Sequence, residues 1–188
     1  IQQYLENKGV DKEQVKQISM DLSPSFIAGA AESFPVAQIT FDRFHVVKLL
    51  NEAMNQVRIA ERKEHDALKG HKYTFLKNRE NLSDKKEKEL DELIKLYPTL
   101  GEAYRLKVLF NDLWEMPDKP AADAFLRQWC DEVDAAKIPA FMKFANTVRA
   151  HWSGIVHFVE SLITNGILEG INSKIQLAKR RARGYRNI

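Results

Sequence analysis

The sequence predicts an α/β protein that is predominantly helical. Two observations carry that class. Near the N-terminus, Val15 to Met20 and Ala37 to Phe41 are short runs of β-branched and apolar residues bounded by breakers, the signature of strands. From Val46 to Glu160, by contrast, apolar residues recur at helical spacing in long stretches.

Each element has a local reason. Between the two strand segments, "PSFIAGAAESF" reads as a short helix, with Ser23 placed to cap it, Pro24 suited to its first turn and Pro35 just beyond its end. A connection of that size suits a right-handed β-α-β crossover, so the two strands should be adjacent and parallel. After Asp42 a long helix is expected from near His45, with Val46, Leu49, Leu50, Ala53, Met54 and Val57 as its apolar stripe. "LKGHKYTFLKNREN" admits either an extended connector or a short helix. Another helix follows Ser83, where Leu90, Leu93, Ile94 and Tyr97 repeat behind the charged run "DKKEKELDE" and stop before Pro98. Gly101 to Trp114, Ala121 to Val133 and Ile138 to Glu160 read as helices separated by "EMPDKPA" and "DAAKIP", whose prolines break the pattern. A last helix is expected from Asn165, with Leu168, Ile171, Ile175 and Ala178 facing inward. Glu169, Asn172, Ser173, Gln176 and Arg180 then form a polar stripe beside that face.

Composition bounds the function. At 188 residues, 44% hydrophobic and 29% charged, the chain has material for one substantial core or for a core with an appended subdomain. The net charge of +3 is unevenly spread: Lys174, Lys179, Arg180, Arg181, Arg183 and Arg186 follow Glu169 with no acid among them, and the rest would carry about −3 without them. Such a stripe suits the phosphates of DNA or RNA; a solvated helix end, where cations are favourable anyway, is the plainer alternative. A lone Cys130 excludes an internal disulfide and any multi-cysteine zinc cluster, in keeping with a reducing cytoplasm. No apolar run of about 18 residues occurs and "IQQYLENKGVDKEQ" has no signal-like stretch, so neither secretion nor membrane insertion is expected. The first residue is not Met, which fits a chain beginning inside a longer protein as well as a processed one.

The acids are candidates for metal-dependent phosphate chemistry. Asp21 and Asp42 each fall just past the carboxyl end of a predicted strand, where open parallel sheets place their ligands. Two-metal phosphoryl transfer needs carboxylates converging from separate elements on cations about 3.5 to 4 Å apart. For each aspartate the competing role is a helix cap, and for His45 a packed or capping histidine.

Three blocks carry a resemblance beyond these patterns. "ISMDLSPSF", "FPVAQITFDRFHVVKLLNEAMNQVR" and "ITNGILEGINSKIQLAKRRARGYRN", with "LKNRENLS" between them, resemble the blocks of bacterial insertion-sequence transposases of the ISL-three family, a D-D-E group, in that family's order and over nearly the whole chain. The resemblance implies a ribonuclease H-like core interrupted by a helical insertion: residues 1–45 a partial core, 46–160 the insertion, and 161–188 the returning helix with its basic tail. It implies cleavage and transfer of DNA strands with Mg²⁺ or Mn²⁺, by a protein acting as a homo-oligomer in the bacterial cytoplasm at the nucleoid. By motif, Asp21 matches the second acid and Glu169 the third, and both would be metal ligands. Asp42 and His45 match a D-x-x-H block and take supporting roles, Asp42 also as an alternative ligand, with Asn172 orienting Glu169 or touching DNA. The six cations from Lys174 to Arg186 would hold phosphates. The first acid has no match here, so the chain alone is expected to be nearly inactive. A non-catalytic helical DNA-binding protein and a ribonuclease H-like nuclease without strand transfer are the alternatives.

Overall fold

A computed structural model describes residues 2–9, 11–162 and 174. After a short helix α1 (Gln2–Asn7), strand β1 (Gln17–Met20) is joined through helix α2 (Pro24–Ser33) to strand β2 (Gln38–Phe41). The strands pair in parallel, in the register Gln17 with Gln38 through Met20 with Phe41. Both start one or two residues later than their β-branched composition predicts, a shift within the usual fraying of element ends. Pro24 opens α2 as expected, but Ser23 does not cap it: its hydroxyl lies 3.0 Å from that of Ser25 and reaches no backbone N–H.

The rest of the described chain is helical. Helix α3 (Arg43–Glu64) is followed by α4 (Lys72–Leu76), α5 (Asp84–Leu96), α6 (Pro98–Asn111), α7 (Lys119–Ala136), α8 (Pro139–Ala150) and α9 (Trp152–Ser161), with short 3-10 turns between several of them. The segment left open between α3 and α5 is helical in pieces, at Asp66–Leu68, Lys72–Leu76 and Arg79–Asn81. Helix α3 is the central strut. Its Val46, Leu50, Ala53, Met54 and Val57 are buried, and it packs on α4, α6 and α8. Burying each of the valine, leucine and methionine side chains stabilises by about 1.5–3 kcal/mol, and Ala53 by less. Among the described residues no helix is long and apolar enough to cross a membrane.

Periodicity predicts one helix from Ile138 to Glu160, and here the structure differs. The chain breaks at His151, whose N–H is shared between the carbonyls of Thr147 and Val148, and resumes as α9. Neither glycine nor proline marks the break. Tertiary partners hold it instead: the His151 ring meets the Phe41 ring edge-on at 5.1 Å, and Trp152 donates from its indole N–H to Asp123. The turn frees α9 to lie against β2 while α8 stays on α3.

The core is continuous from the sheet into the helices, running from Met20 and Phe41 to Phe158 and Val159. At its centre the Phe110 ring meets Trp129 at 4.8 Å and Phe144 at 5.2 Å, both edge-to-face. Trp129 is 1% exposed and donates its indole N–H to the Leu106 carbonyl at 2.9 Å. Gly154 sets the closest approach. A methyl group there would stand 2.5 Å from the Phe41 ring and 3.1 Å from the Ile39 carbonyl oxygen. Since Phe41 is 4% exposed and wedged against His151, its ring has little room to yield. Gly154→Ala should therefore destabilise the fold by about 1–3 kcal/mol in chemical denaturation, despite the better helix propensity of alanine.

Arg58 and Lys107 are buried cations among the described residues. Lys107 on α6 is 2% exposed and donates to the Lys77 carbonyl at 3.1 Å and to Asn78 Oδ1 at 3.2 Å, with its ammonium over the Tyr104 ring. It thereby ties the "LKNRENLS" segment to α6. Burial pushes its pKa down to about 8 from the ordinary 10.5. Between those values the unfolded chain binds more protons at this site than the folded one, so Lys107 should add roughly 2–3 kcal/mol of stability from pH 8 to pH 10, against opposing contributions from Cys130 and Tyr104, whose pKa values burial pushes up. Denaturation across that window should show this contribution as the difference in pH dependence between the native chain and Lys107→Met.

Candidate active site

The carboxyl ends of β1 and β2 lie side by side, since the N–H of Asp42 donates to the Met20 carbonyl at 3.1 Å and extends the ladder by one step. Asp21 leaves the first strand there and Asp42 the second, so the parallel register places both aspartates at one edge of the sheet. Their environments then diverge. Asp42 is 2% exposed, and its Oδ1 accepts from the Phe44 N–H at 2.7 Å, which makes it the N-cap of α3. Helix α3 accordingly begins at Arg43, two residues before the predicted start near His45. The carboxylate satisfies an otherwise orphaned amide and sits where the helix dipole favours negative charge.

Asp21 caps no helix. Its Oδ1 lies 2.7 Å from Nε2 of His45, in the first turn of α3, and its side chain is 42% exposed. His45 is therefore a partner of the strand-end carboxylate. With Nε2 protonated, the imidazole donates to Asp21 and fixes the rotation of the carboxyl group. No other described residue hydrogen-bonds the remaining oxygen of Asp21, which is left to the solvent side. Chance pairing across 24 positions in sequence does not follow from periodicity; it follows from the register of β1 with β2 and the cap that starts α3.

The donor chemistry fits a hard divalent cation in kind, because Asp21 offers a partly exposed carboxylate oxygen and no sulfur or unpaired imidazole competes beside it. In number it is incomplete: among the described residues no cluster of three or more His, Cys, Asp or Glu could hold a metal ion. Asp42 is committed by its Oδ1 to the cap. Glu169, Asn172, Lys179, Arg180, Arg181, Arg183 and Arg186 lie outside the described residues, while Lys174 is helical and exposed. Sequence reasoning overlooked Phe44, which is 59% exposed beside His45, with the two rings edge-to-face at 5.4 Å. It fell just before the predicted start of the helix near His45 and outside its apolar stripe, so periodicity gave it no assigned face.

The cap is separable from the pair. Asp42→Ala should cost about 1–2 kcal/mol of stability in thermal or chemical denaturation, and Asp42→Asn or Asp42→Ser much less, because either side chain still accepts from the Phe44 amide.

Comparison with known proteins agrees with the family resemblance of the sequence blocks. A family model described as "Transposase", that of the ISL3 group, matches residues 1–188. The transposase for insertion sequence element IS1001 of Bordetella parapertussis is 28% identical over 183 residues, covering 93% of this chain and 45% of that protein. The transposase for insertion sequence element IS1557 of Mycobacterium tuberculosis is 26% identical over 202 residues, with the same coverage of 93% and 45%. The chain thus spans about half the length of the curated relatives it matches. No solved structure matches. With the family model covering its whole length, the chain belongs to the ISL-three family of transposases.

Proposed function

We propose that this chain is part of the catalytic domain of a DNA transposase that cuts and joins strands at the ends of an insertion sequence, with Asp21 and Glu169 as two of its catalytic acids. The observation that carries the reading is the Asp21 and His45 pair at the carboxyl ends of two parallel strands, where α/β sheets hold their ligands. In this reading β1 and β2 belong to a ribonuclease H-like sheet, residues 46–160 are largely an insertion, and 161–188 return a helix carrying Glu169 to the sheet. The first catalytic acid is supplied by sequence outside this chain, so the chain alone is nearly inactive.

The roles follow from chemistry. Asp21 and Glu169 would hold Mg²⁺ or Mn²⁺, which supplies charge neutralisation at the scissile phosphate and acidifies the attacking hydroxyl or water. His45 keeps the Asp21 carboxyl group in one rotation, so that its solvent-side oxygen is presented without reorganisation. Asp42 starts α3 in the orientation that brings His45 to Asp21. Asn172, one turn beyond Glu169, orients that acid or touches DNA. Lys174, Lys179, Arg180, Arg181, Arg183 and Arg186 hold backbone phosphates, which position DNA and read no sequence. Assembly as a homo-oligomer on paired ends, in the cytoplasm at the nucleoid, completes the reading.

Cleavage and strand transfer on terminal-repeat DNA, measured with a longer protein that contains this chain, test it. Asp21→Ala and Glu169→Ala should each reduce both reactions by at least about a hundredfold, and His45→Ala by roughly 10- to 100-fold, with the fold intact by circular dichroism. Normal cleavage by Asp21→Ala would sink the assignment of the catalytic acids. Cleavage without joining would favour a nuclease.

A further inference from the structure

A groove begins at Phe44, whose ring meets that of His45, and runs along α3. Phe44, Lys48, Asn51, Glu52 and Asn55 stand at i, i+4, i+7, i+8 and i+11, one stripe of the helix, and with Lys72 from α4 they line an open cleft of about 330 Å³. Three features separate this stripe from an ordinary solvated face. Phe44 exposes 59% of its surface at the groove's mouth. Lys48 and Lys72 are exposed and hold no carboxylate among the described residues, a state several other surface lysines share, but these two converge on one cleft, with the Lys72 ammonium over the Tyr73 ring at 5.8 Å. Asn51 keeps a buried side-chain oxygen with no hydrogen-bond donor, an acceptor that buried polar groups seldom leave unfilled.

The chemistry of these groups points to one occupant. An exposed aromatic face stacks on a base, unpaired ammonium groups take phosphates, and amide side chains read base edges. Asn55 is set for the last role, since Arg58 donates to its Oδ1 at 3.1 and 3.0 Å and thereby fixes the amide plane. The carboxylate in the cleft, Glu52, suits a base amino group and repels phosphate, so backbone and bases are sorted to different residues. From Phe44 to Asn55 the stripe covers roughly 16 Å at the α-helical rise, the length of about four to five nucleotides at their stacked spacing. Paired bases in a duplex have their faces covered already, so the aromatic platform calls for an unpaired strand.

We propose that the α3 and α4 groove binds unpaired nucleotides of the DNA strand leading away from Asp21, with Phe44 stacked on a base and Lys48 and Lys72 on the flanking phosphates. The inference rests on the transposase reading of the strand-end site and adds to it a track for the substrate strand.

A labelled 12-nucleotide single strand carrying 5-iodouracil, added to the 188-residue chain, tests the groove by fluorescence anisotropy and by photocrosslinking with peptide mapping. Crosslinks should fall on the peptide that contains Phe44. Phe44→Ala should weaken binding about tenfold, and the Lys48→Ala, Lys72→Ala double variant should reduce the slope of log affinity against log salt by about 1.4. A duplex of the same sequence should compete poorly. All three side chains are exposed, and an unchanged melting transition certifies each variant. Crosslinks confined to residues 174–186, with affinity and salt slope unchanged in the variants, would overturn the groove while leaving DNA binding by the chain in place. Equal competition by duplex would overturn the unpaired strand. Failure to bind any DNA would overturn the groove together with the reading beneath it.

Discussion

The junction at Asp42 is the constraint on which the rest of the candidate site depends. Within a single residue the backbone N–H extends the parallel ladder to Met20 and the carboxylate caps α3 at Phe44. A strand and a 22-residue helix are thus joined without a loop. The direction of α3 is inherited from the sheet, and because His45 lies in the first turn, where little flexing has accumulated, its imidazole reaches Asp21 at 2.7 Å. A carboxylate capping a helix is charge-assisted and nearly dry here, so it holds this geometry more firmly than an exposed ion pair could.

Around that junction the fold is asymmetric. On one side, helix α9 presses a glycine onto β2, so sheet and helix meet at backbone distance with Phe41 as the packed floor. Helix α5 meets α6 in a similar way, with Gly101 directly over the Ile94 carbonyl, where a methyl group would stand 2.8 Å away. On the other side, α3 carries a wide apolar stripe into the helical bundle. Among the described residues the sheet has two strands, and two strands are marginal in water without a packed neighbour. The strand ends are therefore only as well ordered as the helices beneath them, and a site that needs oxygens placed to a fraction of an ångström rests on a helical platform.

Charge is distributed in keeping with this division. Several arginines on and beside α5 to α8 pair with acids, as at Arg79 with Glu87 and Asp91, or Arg105 with Glu102 and Glu132. Exposed pairs of this kind contribute little stability, but they neutralise the far surface. Lys48 and Lys72 hold no carboxylate among the described residues and line the cleft that opens at Phe44, one residue before His45.

Much of this was legible from local sequence. The β-branched runs, Pro24 at a helix start, the prolines that separate the helical stretches, and the apolar stripe of α3 are signals that a segment carries alone, because backbone propensity and periodic burial act over a few residues. Asp21 and Asp42 at strand ends followed from the same reasoning once a parallel crossover was assumed. Local signals left open which aspartate caps and which is paired. Each role has the same sequence signature, an acid before a helix, and the choice depended on the register between strands 21 residues apart. The break at His151 and the exposure of Phe44 escaped for a related reason: periodicity reports which side of a helix is apolar, and cannot report where a neighbouring strand ends or whether another element arrives to cover it. Composition and pattern thus determined the elements, their order and the acids worth watching. Only the tertiary structure decided which side chains meet, because those contacts are set by register and packing between segments that have no local knowledge of one another.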